Sequence, residues 1–140
     1  MKILLAIDGS AYTKKMLAYL ATHDDMFGGE HDVTAIAVQD PLPPRARAAV
    51  GAEIANSYYE EEANKVTAPV VKFLARHGIT PKVLHKVGSP GELIAKTANA
   101  GKFDLVLMGS HGHGALGNLV LGSVATKVLA QCKSPVLIVR

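Results

Sequence analysis

Apolar residues arrive along this chain in two rhythms. Three runs are apolar without a break: Ile3-Leu4-Leu5-Ala6-Ile7, Leu105-Val106-Leu107-Met108 and Val136-Leu137-Ile138-Val139. Short continuous runs of this kind predict strands covered on both faces, as in a parallel sheet. With two further runs, the predicted strands are 2–7, 32–38, 80–87, 103–108 and 135–139. Between them, apolar positions recur at three and four residues. Tyr12, Met16, Leu17, Leu20 and Ala21 mark one helix, and Ala63, Val66, Val70, Val71 and Leu74 mark the longest.

Punctuation sharpens the pattern. In Ser89-Pro90-Gly91-Glu92 a capping serine precedes a proline at the first helical position and a glutamate at the third. Gly78, after Arg76-His77, falls where a glycine stop belongs. Pro41-Leu42-Pro43-Pro44 breaks the chain and predicts an irregular arm over 41–57. Its Arg45 and Arg47 either reach a ligand phosphate or stand exposed. Glu60-Glu61-Glu62 reads as a solvated helix face. Strand–helix four times, then a strand, predicts an α/β fold with helices on both faces of a parallel sheet. Ligands of such sheets lie beyond the carboxyl ends of the strands, where the strand order reverses. The loops after the first, second and fourth strands are therefore the ones to search.

Composition adds bounds. The 140 residues, 49% hydrophobic, fit a single domain over 1–140 that needs no covalent staple. The one cysteine, Cys132, excludes an internal disulfide and suits a reducing compartment. The apolar run near Met1 is too short for a signal sequence, and no run approaches the length that spans a bilayer. The expectation is a soluble, cytoplasmic protein without membrane attachment. The net charge of +3 is spread along the chain, with only three Phe and four Tyr for stacking, so no nucleic-acid partner is expected.

The chemistry concentrates after the fourth strand. Five of the 13 glycines fall within Gly109-Ser110-His111-Gly112-His113-Gly114-Ala115-Leu116-Gly117-Asn118-Leu119-Val120-Leu121-Gly122-Ser123. Glycines between a buried strand and a helix let backbone N–H groups approach an anion, with the helix dipole behind them. The stretch from Gly112 to Gly117 spells a dinucleotide fingerprint. The acidic residue it needs about 20 positions on is missing, because Leu137 stands there, which argues against NAD. From Gly117 to Ser123 the chain nearly spells a P-loop, but the lysine after the second glycine is absent.

A third pattern fits throughout: Gly109-x2-Gly112-x9-Gly122-Ser123. It resembles the nucleotide signature of the ATP-binding branch of the universal stress protein family. Ile7-Asp8-Gly9-Ser10, Val38, Gly88-Ser89-Pro90 and the closing Cys132-Lys133-Ser134-Pro135-Val136-Leu137-Ile138-Val139 resemble further landmarks in register. The resemblance implies a three-layer, Rossmann-like sandwich of the adenine-nucleotide α-hydrolase type, with strand order 3-2-1-4-5. It implies that Asp8 accepts a ribose hydroxyl and that the Val38 backbone holds adenine. Gly109 and Gly112 then pass close to ribose and phosphates, Gly122, Ser123 and Val124 offer N–H groups, and Ser10 stands near the phosphates. ATP is the implied ligand, with Mg²⁺ carried on its phosphates, in a homodimer paired through 135–139 that serves in stress response.

Blander readings stand beside these. Asp8 could cap a helix, Gly109 could end a strand and Ser123 could cap the last helix. His111 and His113 read as ordinary loop residues, and Lys127 as solvent-facing. Cys132 reads as a small buried residue. A nucleotide-binding regulatory module is the expectation. The alternative is a slow ATPase or self-phosphorylating protein using Ser10, Ser110 or Ser123, and a fold relative that binds no nucleotide comes last.

Overall fold

The structure is a computed structural model describing residues 1–114 and 119–140. In chain order its elements are β1 (Lys2–Ile7), α1 (Ala11–Thr22), α2 (Asp24–Phe27), β2 (Asp32–Gln39), α3 (Pro44–Arg76) and β3 (Lys82–Val87). After them come α4 (Pro90–Ala100), β4 (Leu105–Gly109), α5 (Ser123–Gln131) and β5 (Val136–Val139). The strands form one parallel sheet in the order β3-β2-β1-β4-β5, as expected.

The apolar run of β1 divides between the two faces of this sheet because successive side chains in a strand point opposite ways. Ile3, Leu5 and Ile7 pack with Met16, Leu17 and Leu20 of α1 and Val70 and Leu74 of α3. Leu4 and Ala6 face the other side, with Ile94 and Ala98 of α4 and Val128 of α5. Both sets are buried, which is why β1 carries no polar residue after Lys2. Register places Leu5 beside Ala35 of β2 and Leu107 of β4, so the centre of the sheet is apolar on every side.

The arm expected over 41–57 is instead largely helical. Pro43 caps α3 and Pro44 stands in its first turn, where a missing N–H costs nothing, so these prolines start a helix rather than delay one. Gly51, at φ 84° and ψ 166°, kinks it, and a side chain would strain that conformation. The four-residue α2 is also absent from the sequence pattern. At Gly78 the expected stop is present: the Ile79 N–H reaches back 2.9 Å to the Leu74 carbonyl. Ser89 does hold the N-cap of α4, but its side chain makes no capping hydrogen bond. Glu92, its expected partner, turns to Lys127 of α5 at 3.6 Å. No helix among the described residues is long and apolar enough to cross a membrane.

Candidate functional site

A crevice of about 670 Å³ opens at the carboxyl ends of the strands, where the order reverses between β1 and β4. Asp8, Val38, Gly109, Gly112, Gly122, Ser123 and Val124 all line it. Residues spread from position 8 to 124 are thus brought to one place by parallel strands that all end on the same side.

Asp8 follows β1 directly. Its Oδ1 accepts from the Ser10 N–H at 2.9 Å and from the Thr13 hydroxyl at 2.8 Å, and Thr13 Oγ1 in turn accepts the Asp8 N–H at 3.0 Å. Asp8 is therefore not the cap of α1, a place Ser10 holds; its Oδ1 instead pins the turn that leads into the helix. Oδ2 is turned toward Gly112, where a Cβ would come within 2.8 Å of it. The bare backbone at Gly112 lets the loop after β4 lie against the carboxylate.

Gly109 is glycine for a different reason. A Cβ there would meet Tyr12 Cβ at 2.6 Å and its backbone at 3.2 Å, so this position lets α1 close on the end of β4. Gly122 is the N-cap of α5, and its N–H is already held by the Ser110 carbonyl at 2.7 Å. The following Ser123, Val124 and Ala125 line the crevice with the first turn of α5, which contains no acidic residue. Such a helix start, with orphan N–H groups and an uncompensated dipole, attracts negative charge.

Both loop histidines are tied down. His113 Nε2 donates to the Asp8 carbonyl at 2.7 Å, which assigns the proton to that nitrogen. His111 donates from Nε2 to the Leu119 carbonyl at 2.7 Å, accepts from Ser110 at Nδ1, also 2.7 Å, and tilts against the Tyr12 ring. They shape the glycine loop. The dinucleotide and P-loop readings both run through Gly117, which lies outside the described residues. Lys127 is held by Glu92 and packs over Gly91, away from the crevice. Cys132 is half-buried, its thiol 3.7 Å from the Ser134 carbonyl.

Ser10 is the one predicted site residue the fold sets apart. Ser10 lines a neighbouring groove rather than this crevice. Sequence reasoning also missed one wall: Tyr58, Glu62 and Val66 of α3 line the crevice. Their spacing of four places them on one helical face, the signal that could have found them. Gln39 and His85 meet at the far end, where the Gln39 amide donates to His85 Nε2 at 2.6 Å and to the Tyr59 carbonyl at 2.9 Å.

Comparison with known proteins gives four findings. The family model described as the universal stress protein family matches residues 1–140. A Thermus aquaticus protein, the universal stress protein in the QAH/OAS sulfhydrylase 3′ region, is 34% identical over 146 residues, covering 99% of this chain and 97% of its own. Among solved structures, that of Methanocaldococcus jannaschii MJ0577 superposes with a TM-score of 0.80 at 30% identity, over 99% of this chain and 94% of its own. An Archaeoglobus fulgidus universal stress protein in complex with dAMP shares the fold at a TM-score of 0.67 and 19% identity, over 100% and 98% of the two chains.

Proposed function

The chain belongs to the universal stress protein family, and from that premise we propose that it is a regulatory module that holds an adenine nucleotide, ATP foremost. The carrying observation is the convergence of a carboxylate, a bare glycine loop and a helix start free of acidic residues on one crevice at the β1–β4 switch point. Asp8 Oδ2 accepts a ribose hydroxyl, since an ionised carboxylate is an acceptor only. The Val38 backbone holds the base. Gly112 keeps the approach past Asp8 clear, Gly109 lets α1 close on the end of β4 beside it, and the N–H groups of Ser123 and Val124 meet the phosphates. Gly122 contributes by its lack of bulk, since a Cβ would press on His111 Cα at 3.1 Å. Mg²⁺ rides on the triphosphate. The dAMP held by the Archaeoglobus fulgidus relative supports the choice of an adenine ligand.

The module acts in the cytoplasm in stress response, as a homodimer paired through β5. That strand is at an edge of the sheet, and its apolar Val136, Leu137 and Ile138 are only half-buried. An uncovered edge of this kind invites a second strand. Turnover is the weaker reading. Ser110 is only 1% exposed, and Ser10 lies in another groove, so two of three candidate phosphoryl acceptors are out of reach.

Calorimetry with ATP, ADP, AMP and a cyclic dinucleotide tests the ligand. Saturable heat with adenine mononucleotides, lost in folded Gly122→Val, supports the reading. No heat and no thermal shift with any of the four would end it.

A further inference from the structure

Beside the crevice, between α1 and α3, runs a second groove of about 350 Å³. Pro69 and Phe73 supply an apolar surface along it, and the buried Leu17 and Val70 line it from the core side. Lys14, Lys65, Lys72 and Arg76 also line it, and no carboxylate does. Lys65 is paired with Glu62 at 2.9 Å. Among the described residues the other three cations make no ion pair.

The groove begins at the N-terminus of α1, a twelve-residue helix with no acidic residue in its first turn. Ser10 holds the N-cap there, yet its side chain makes no capping hydrogen bond. The residue is 5% exposed, and its hydroxyl has no hydrogen-bond partner among the described residues. Buried hydroxyls are nearly always satisfied, so a groove-lining one that is not points to a missing acceptor. Ser10 and Leu17 are two turns apart, about 10 Å along the axis, enough for an acidic head and a short chain.

We propose that this groove binds a small organic anion, its acidic head at Ser10 and the α1 N-terminus and its apolar body along Pro69 and Phe73. The charge balance selects an anion, and the apolar surface selects one with a hydrocarbon part. Entry of the head needs local side-chain movement, because Ser10 Oγ has under 1 Å² of solvent contact. Lys14, Lys65 and Lys72 are long and exposed. The site is separate from the nucleotide crevice, sharing only Thr13 and Val66 as walls, and does not depend on the function proposed above.

The test is an NMR titration of the full chain at low salt with hexyl phosphate, hexanoate and inorganic phosphate. Saturable shifts at the Ala11, Tyr12 and Thr13 amides and the Leu17 and Val70 methyls support the site. A response to hexyl phosphate alone assigns a phosphate monoester head, and a response to both organic probes assigns any acidic head. Ser10→Ala, which removes a hydroxyl the fold does not use, should weaken binding at least about tenfold, as loss of a hydrogen bond to a charged group does. Lys72→Glu, at an exposed position, should weaken it as well. Four results overturn the proposal: no saturation, shifts confined to 109–124, inorganic phosphate binding as tightly as hexyl phosphate, or Ser10→Ala binding unchanged.

Discussion

The imidazole of His113 donates a hydrogen bond of 2.7 Å to the backbone carbonyl of Asp8, joining two loops 105 residues apart in sequence. The bond fastens the glycine loop after β4 to the end of β1, at the side of the crevice where Asp8 presents its free oxygen. A neutral hydrogen bond is worth about 1 kcal/mol net, or about fivefold in a rate. In His113→Ala, stopped-flow release of a fluorescent adenine nucleotide should accelerate by about that factor, and His113→Gln, which keeps a donor, should recover part of it. Equal release from all three proteins would show that the tie does nothing for the ligand.

Gly112 and Gly109 should respond differently to alanine. At Gly112 the new methyl meets only Asp8 Oδ2, at 2.8 Å, so nucleotide affinity should fall at least about tenfold, with little change in unfolding midpoint. At Gly109 it meets Tyr12 at 2.6 Å, between a strand and a helix, and overpacking of that kind costs about 1–3 kcal/mol. Urea unfolding of both variants, with calorimetry on whichever remains folded, separates the two roles.

Ser123→Asp should move stability and binding in opposite directions. A carboxylate at the exposed first position of α5 favours the helix dipole by about 0.3–1 kcal/mol, so the melting temperature should rise slightly. The same charge repels a phosphate approaching those N–H groups, so affinity for ATP should fall more steeply than for adenosine. Parallel thermal melts and titrations measure both. An unchanged ATP-to-adenosine ratio would remove the phosphates from this end of the crevice.

Leu5, fully buried at the centre of the sheet, sets the scale for the core. Leu5→Ala should cost about 2–5 kcal/mol in chemical denaturation, as cavity-forming substitutions do. By contrast Glu92→Ala, which breaks an exposed ion pair with Lys127, should cost under about 1 kcal/mol.

What the sequence revealed, and what it hid, follows from burial. The runs of β1 and β4 were legible because both faces of each strand are covered, leaving an unbroken apolar signature. The first half of α3 was not. From residue 44 to 54 it is exposed almost all round, so it carries no apolar stripe, and its leading prolines look like breakers until one sees that they occupy a helix start. At the site, the glycine spacing found the loop because main-chain approach demands glycine whatever the ligand. It could not say what each glycine makes room for, and Gly109 makes room for Tyr12. Ser10 was misplaced for a similar reason. Its neighbour Asp8 faces the crevice, but the turn into α1 puts the serine in the adjoining groove. Tyr58, Glu62 and Val66 share a helical face but no chemical type, so nothing in their identities announced a common wall.

The build of α3 reaches beyond its own packing. One rod carries Tyr58 and Glu62 into the crevice and, three turns further on, plants Val70 and Leu74 in the interior. A guest pressing on that wall therefore pushes against the domain's foundations. Upstream of the Gly51 joint the same helix lines no part of the crevice, so residues 44–50 bear none of that load.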